Sequence, residues 1–254
     1  MRLFAFSDIH IDYQSNLRWL QQISNSEYVN DCVILAGDVS DSLSLLEECF
    51  YQLSKKFNRI FFVPGNHDLW VLKGEADHSI DKFQKVIALA DQYQVRTRRE
   101  RVGQTDILPL YAWYDMSFGQ PCNNLYQSWM DFRACKWPEE LNCHNKITEF
   151  FLEQNCDYLM PSAVDVISFS HFLPRLDIMP SFIPKKHRMV YPVLGCERLD
   201  AQLRRAGSKI HIYGHSHVNR NVTIGGVRYI NSAYGYPAET SISTRSLFCV
   251  KDSI

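Results

Sequence analysis

The sequence predicts an α/β protein built on a parallel sheet wrapped by helices. Over the first 95 residues, short apolar runs alternate with segments of helical periodicity, the pattern of parallel strands joined by helices. Five apolar runs along the chain each stop at a small cluster of polar residues. The C-terminal segment alternates apolar and polar residues around Gly225-Gly226, which predicts antiparallel strands.

The elements follow in order. Leu3 to Phe6 reads as a first strand ending at Ser7-Asp8-Ile9-His10, and Leu17, Leu20 and Ile23 recur at helical spacing. Cys32 to Ala36 is a second strand ending at Gly37-Asp38. A helix over Leu43 to Phe57 carries Leu46, Phe50 and Leu53 on its apolar face. The run Ile60-Phe61-Phe62-Val63 suits a strand covered on both faces, broken by Pro64-Gly65 and followed by Asn66-His67-Asp68. A helix fits Ile80 to Tyr93, and a short pair of strands fits Arg98 to Leu110. The segment Tyr111 to Pro138 is dense in aromatics, and Ile147 to Leu152 suits part of a helix. Val164 to Phe169 is a fourth apolar strand ending at Ser170-His171. A Pro-rich segment, Phe172 to Pro192, is too long for a simple connector. A helix around Arg198 to Ala206 precedes a fifth strand, Lys209 to Tyr213, which ends at Gly214-His215-Ser216-His217.

Bulk properties exclude several classes. At 254 residues the chain can bury a sizeable core, and with no internal repeat or linker it reads as one domain, with a possible cap or substrate-selecting insert at about 111–160. The 27 basic and 28 acidic residues give a formal charge of -1, so bulk charge does not draw the protein to nucleic acid or a membrane surface. No apolar run approaches the roughly 18 residues of a membrane span. The apolar stretch in MRLFAFSDIH is too short for a signal peptide, so the expected location is cytoplasmic. The eight cysteines include no CxxC pair and read as reduced thiols.

The strand ends carry the chemistry. Loops beyond the carboxyl ends of parallel strands converge, and ligands bind there. That rule gathers Asp8 and His10, Asp38, Asn66 and His67, His171, and His215 and His217 at one edge. Buried polar groups need partners, and a metal would convert this cluster into ligands. Imidazole, carboxylate and amide oxygen without thiolate suit Mn, Fe, Zn, Co or Ni. The set is too large for one tetrahedral ion and suffices for two sharing a bridging carboxylate. Their residual positive charge would favour an anionic phosphoryl group.

The ordered set Asp8-x-His10, Gly37-Asp38, Gly65-Asn66-His67-Asp68, His171 and Gly214-His215-x-His217 resembles the calcineurin-like metallophosphoesterase superfamily. The resemblance implies a four-layer sandwich, two packed mixed sheets flanked by helices on both outer faces. It implies one metal held by Asp8, His10, Asp38 and His217, and another by Asp38, Asn66, His171 and His215, with Asp38 bridging. The implied reaction is hydrolysis of a phosphate mono- or diester by a metal-bridging hydroxide. His67 would be general acid, or alternatively would hydrogen-bond a ligand from outside the metal shell. Gly37-Asp38-x-x-Asp41 resembles the form in which the second aspartate orients the catalytic histidine; Asp41 fits a helix start equally well. The purple acid phosphatase branch expects a tyrosine where this chain has Asp41, which argues against that branch.

Substrate choice is open at this level. The aromatic segment reads either as a cap that stacks on a ring or as core beneath an irregular loop. Lys185, Lys186, His187 and Arg188 either reach a second phosphate or are merely solvated. His78, His144, His187 and His211 read as surface or packing histidines. The expected substrate is a small-molecule phosphate ester or a nucleotide, with a nuclease or a non-catalytic scaffold as alternatives; the lack of a long basic face argues against nucleic acid.

Overall fold

The computed structural model describes residues 1–254. The strands are β1 (Leu3–Phe6), β2 (Cys32–Leu35), β3 (Arg59–Phe62), β4 (Glu100–Val102), β5 (Thr105–Pro109), β6 (Asp165–Phe169), β7 (Ser208–Tyr213), β8 (Arg220–Ile224), β9 (Val227–Asn231) and β10 (Phe248–Lys251). The α-helices are α1 (Gln14–Gln22), α2 (Leu43–Ser54), α3 (Ser79–Gln92), α4 (Asn123–Ser128), α5 (Asp131–Ala134), α6 (His144–Glu153) and α7 (Arg198–Arg205). None is long and apolar enough to cross a membrane.

The strands form two mixed sheets, ordered β10-β1-β2-β3 and β4-β5-β6-β7-β9-β8. In the first, β1, β2 and β3 run parallel and in step, Phe4 beside Val33 and Val33 beside Ile60. Side chains alternate across a strand, so each apolar run serves two cores. Leu3, Ala5, Ile34 and Phe61 face the second sheet and pack with Ile107, Ile167, Phe169 and Ile212. Phe4, Phe6, Val33, Leu35 and Phe62 point the other way, against Leu46, Phe50 and Leu53 of α2 and Val86 and Ala90 of α3. On the far face of the second sheet, Leu108, Val166 and Tyr229 pack with Leu199 and Leu203 of α7 and Phe151 of α6. The result is a four-layer sandwich of helices, sheet, sheet and helices, as the resemblance implies.

The tail departs from the purely antiparallel expectation. β8 and β9 do form a hairpin, and Gly225 and Gly226 both take positive φ (55° and 79°), the backbone a tight primed turn requires. β9 then also pairs parallel with β7, and β10 crosses to the first sheet. In the Pro-rich segment, 3-10 turns occupy Leu176–Ile178 and Lys185–Val193. Within the aromatic segment, Trp113 and Tyr114 are buried and pack against each other and Phe172, with Trp113 also against Trp137.

At the edge where β1 ends, the two sheets are stitched together. Ser7 N–H donates to Ser232 O at 3.1 Å, and Tyr234 N–H donates to Ser7 O at 2.8 Å. That stitch brings the turn after β1 and the chain after β9 to one place.

Candidate metal centre

The turns after β1, β2 and β7 bend the chain through unusual backbone. Asp8, His10, Asp38, His215 and His217 all have positive φ, between 42° and 65°, a region that non-glycine residues rarely adopt. Such conformations cost of order 1–3 kcal/mol each and persist where surrounding contacts impose them. Two glycines make room for the bends. A Cβ on Gly65 would collide with the Asp38 carboxylate, and one on Gly37 would stand 2.6 Å from His171 Nδ1.

Two groups of donors result. Asp8, His10, Asp38 and His217 offer ligand atoms within 4.8 Å of one another, as do Asp38, His171 and His215. All six are buried. His10 Nε2 lies 3.2 Å from His217 Nε2, and His217 Nε2 lies 3.2 Å from Asp8 Oδ1. His171 Nε2 lies 3.1 Å from both His215 Nδ1 and the Asn66 amide oxygen. Asp38 Oδ2 faces both groups, 3.4 Å from His171 Nε2 and 4.0 Å from His10 Nε2.

The outward-facing ring nitrogens settle which atoms are free to bind. His171 Nδ1 donates to Ala36 O at 2.9 Å, His215 Nε2 to Val193 O at 3.0 Å and His217 Nδ1 to Glu239 Oε2 at 2.6 Å. A nitrogen that donates to a carbonyl carries the hydrogen, so the inward nitrogens of His171 and His215 present lone pairs to each other. Lone pairs at 3.1 Å repel unless a cation or a proton lies between them. The donor set therefore fits divalent metals.

Without metal, protons supply the missing positive charge. Burial alone would disfavour charge on Asp8, but His217 and His171 hold its carboxyl down to about 2. Asp38 likewise stays well below the carboxylate range against its burial, held there by His171, His67 and His10. Burial opposes protonation of His171 and His217 too, yet Asp38 and Asp8 raise His171 to about 9, and Asp8 and Glu239 raise His217 to about 10. Burial and the neighbouring His171 push His215 down to about 3.

His67 is half-outside this cluster. Its backbone N–H donates to Asp38 Oδ1 at 2.9 Å, its ring stacks on Trp70 at 3.7 Å, and its Nε2 lies 3.3 Å from the Tyr236 hydroxyl. Asp41 is not brought to His67. Its carboxylate pairs with Lys73 Nζ at 3.0 Å, just before Ser42, the residue that opens α2.

Four residues at the centre stand outside the candidate set read from sequence: Asp68, Asp131, Tyr236 and Glu239. Asp68 had a signal, its place beside His67. The others reach the site only through tertiary contacts.

A cavity of about 690 Å³ opens onto Asn66, His67, His215 and His217. Much of its remaining lining is apolar and comes from the Pro-rich segment after His171, including Met179, Phe182, Ile183, Met189 and Val190. Trp129 of the aromatic segment also lines it.

The profile of the calcineurin-like phosphoesterase family matches residues 1–219. The chain belongs to that family. It is accordingly a metal-binding hydrolase of phosphoric ester bonds. Among curated proteins it is similar to [acyl-carrier-protein] phosphodiesterase PptH of Mycobacterium tuberculosis, 23% identical over 267 residues that span 93% of this chain and 78% of that protein. The crystal structure of the phosphopantetheinyl hydrolase PptH from the same organism superposes with a TM-score of 0.77 at 21% identity, covering 98% of this chain and 95% of that one. TT1561 of Thermus thermophilus gives a TM-score of 0.52 at 11% identity, covering 91% and 89%. At these identities the structural likeness establishes the fold.

Proposed function

We infer that the protein is a dinuclear phosphodiesterase that cleaves an ester carrying an extended, partly apolar arm, such as the phosphodiester joining a phosphopantetheinyl group to a carrier protein. The observation that carries this is the placement of two donor groups around one shared carboxylate, Asp38 Oδ2, at the end of an apolar-walled cavity. Asp8, His10, Asp38 and His217 would hold one ion; Asp38, Asn66, His171 and His215 would hold the other. Bound there, two divalent ions supply an activated water and positive charge for the phosphoryl oxygens.

The chain's own residues do the rest. Glu239, Ala36 and Val193 fix the tautomers of His217, His171 and His215, so that each presents a lone pair inward. His67 lines the cavity and would give a ring proton to the departing oxygen, leaving an alcohol and a phosphomonoester. The Tyr236 hydroxyl and the Trp70 face hold the ring in that direction. Met179, Phe182 and Met189 suit an apolar chain better than a polynucleotide, which would need a basic track.

The name of the M. tuberculosis relative supports the carrier-protein form of this reading. The test is an assay with Mn²⁺ on four substrates: an aryl phosphate monoester, an aryl diester, a mononucleotide and a phosphopantetheinylated carrier protein. Release of phosphopantetheine, abolished by chelator and restored by Mn²⁺, is the expected result. Turnover of the mononucleotide alone would replace the arm by a nucleoside. Full activity after chelation would end the metal reading.

A further inference from the structure

Asp131 opens α5 in the aromatic segment and is almost fully buried. No lysine, arginine or histidine pairs with it. Three N–H donors converge on it instead. Oδ1 accepts Asn66 Nδ2 at 2.8 Å and Trp70 Nε1 at 2.7 Å, and Oδ2 accepts Trp129 Nε1 at 2.7 Å. An ionised carboxylate is an acceptor only, so nothing but donors can face it.

That constraint reaches the metal centre by two routes. The amide of Asn66 has an oxygen and a nitrogen of nearly equal size, and only the oxygen binds a cation. Because Asp131 can take only the nitrogen, Asn66 Oδ1 is left pointing at His171 Nε2, 3.1 Å away. The second route runs through Trp70. Its indole N–H is fixed by Asp131, and its face lies 3.7 Å from the His67 ring at an interplanar angle of 28°.

We propose that Asp131 is a positioning residue of the catalytic centre, selecting the metal-binding orientation of the Asn66 amide and, through Trp70, the plane of His67. The proposal rests on the reading of Asn66 as a ligand and His67 as the acid. Asp131→Asn is the informative change. A carboxamide keeps the shape but places an NH2 where one oxygen was, and that NH2 must then face an N–H. Turned toward Trp129, the NH2 meets that N–H; turned the other way, it meets the donors of Asn66 and Trp70, so in either case the group must shift off Asn66. Trp129→Phe removes the first conflict and lets the amide oxygen stay on Asn66 and Trp70, so the double variant should recover what D131N loses.

The experiment is Mn²⁺ binding to wild type, D131N, W129F and D131N/W129F by equilibrium dialysis, with indole N–H resonances followed by NMR. Wild type should bind two ions. D131N should weaken one of them by about 10–100-fold, the usual effect of losing a partner behind a ligand, and should shift the Trp70 indole resonance. D131N/W129F should return to within a few-fold of W129F. If D131N folds poorly alone, the double variant compared with W129F carries the test. Wild-type affinity in D131N, or no recovery in the double variant, overturns the positioning role while the two-metal reading stands. A wild-type protein that binds fewer than two ions removes both.

Discussion

The Asp68 carboxylate accepts the backbone N–H of Asp38 at 2.9 Å, tying the turn after β2 to the turn after β3. The same oxygen takes Gly65 N–H at 2.8 Å, while its partner oxygen takes Val39 and Ser40 N–H at 2.9 and 3.1 Å. One side chain thus satisfies four buried donors and fixes where Asp38 stands. Replacing it with alanine would strand those donors, each worth about 1–3 kcal/mol when left unpaired. Asp68→Ala is expected to lower unfolding stability by at least about 3 kcal/mol and to reduce bound metal. Urea unfolding with metal analysis checks this; a wild-type midpoint and metal content would refute the role.

Gly65→Ala disturbs Asp38 directly. Gly65 does not have positive φ, so the requirement is for space rather than torsion. The added methyl would overlap Asp38 Oδ1 and lie 2.7 Å from the Asp38 nitrogen. Because Asp38 Oδ2 faces both donor groups, displacing it should weaken both metal sites together. Metal stoichiometry should fall below one per chain while the circular dichroism spectrum stays that of a folded α/β protein. Loss of a single ion would show that Asp38 is not shared.

The strands that carry the site were legible because each is an apolar run ended by a polar cluster, and β1, β2 and β3 bury both faces. Residues that act from behind the ligands were not. Asp131 reads locally as a helix start inside an aromatic run, and Glu239 as part of a polar tail; only the folded chain brings them to Asn66 and His217. The same holds in reverse for Asp41, which the resemblance offers as a partner of His67 and whose carboxylate the folded chain pairs with Lys73. Strand direction was hidden too. The apolar–polar alternation of β9 says which face is buried but not that its second neighbour, β7, runs parallel.

His67→Ala tests the proton-donor role through the leaving group. A donor matters most when the departing oxygen is a strong base, typically by about 10²–10⁴-fold. Turnover of an alkyl ester should fall by that order, whereas a nitrophenyl ester, whose phenolate leaves without help, should lose far less. Equal losses on both would assign the His67 ring to keeping the surrounding groups in place rather than to proton transfer, since alanine keeps the backbone N–H that donates to Asp38.

His211 predicts how stability varies with pH. It lies wholly buried in β7, with Nδ1 2.7 Å from Ser168 Oγ and Nε2 3.0 Å from Ser170 Oγ. Ser170 spends its own hydrogen on Phe172 O at 2.7 Å, so its oxygen must accept the Nε2 hydrogen. Nδ1 is then the acceptor for Ser168, and the ring is neutral. Burial accordingly pushes it down from 6.5 to about 3. Between those values the unfolded chain binds a proton that the folded one refuses. The contribution is therefore fully present above pH 6.5 and is lost as pH falls toward 3. From pH 7.5 to pH 5 it should remove on the order of 2 kcal/mol, at about 1.4 kcal/mol per unit below the unfolded value. His211→Gln keeps a donor and an acceptor but cannot titrate, so its urea midpoint should fall less than that of wild type over this interval. Comparing the two proteins cancels the titration of the metal ligands, which they share. Parallel pH profiles would mean that His211 takes up a proton in the folded state as readily as in the unfolded one.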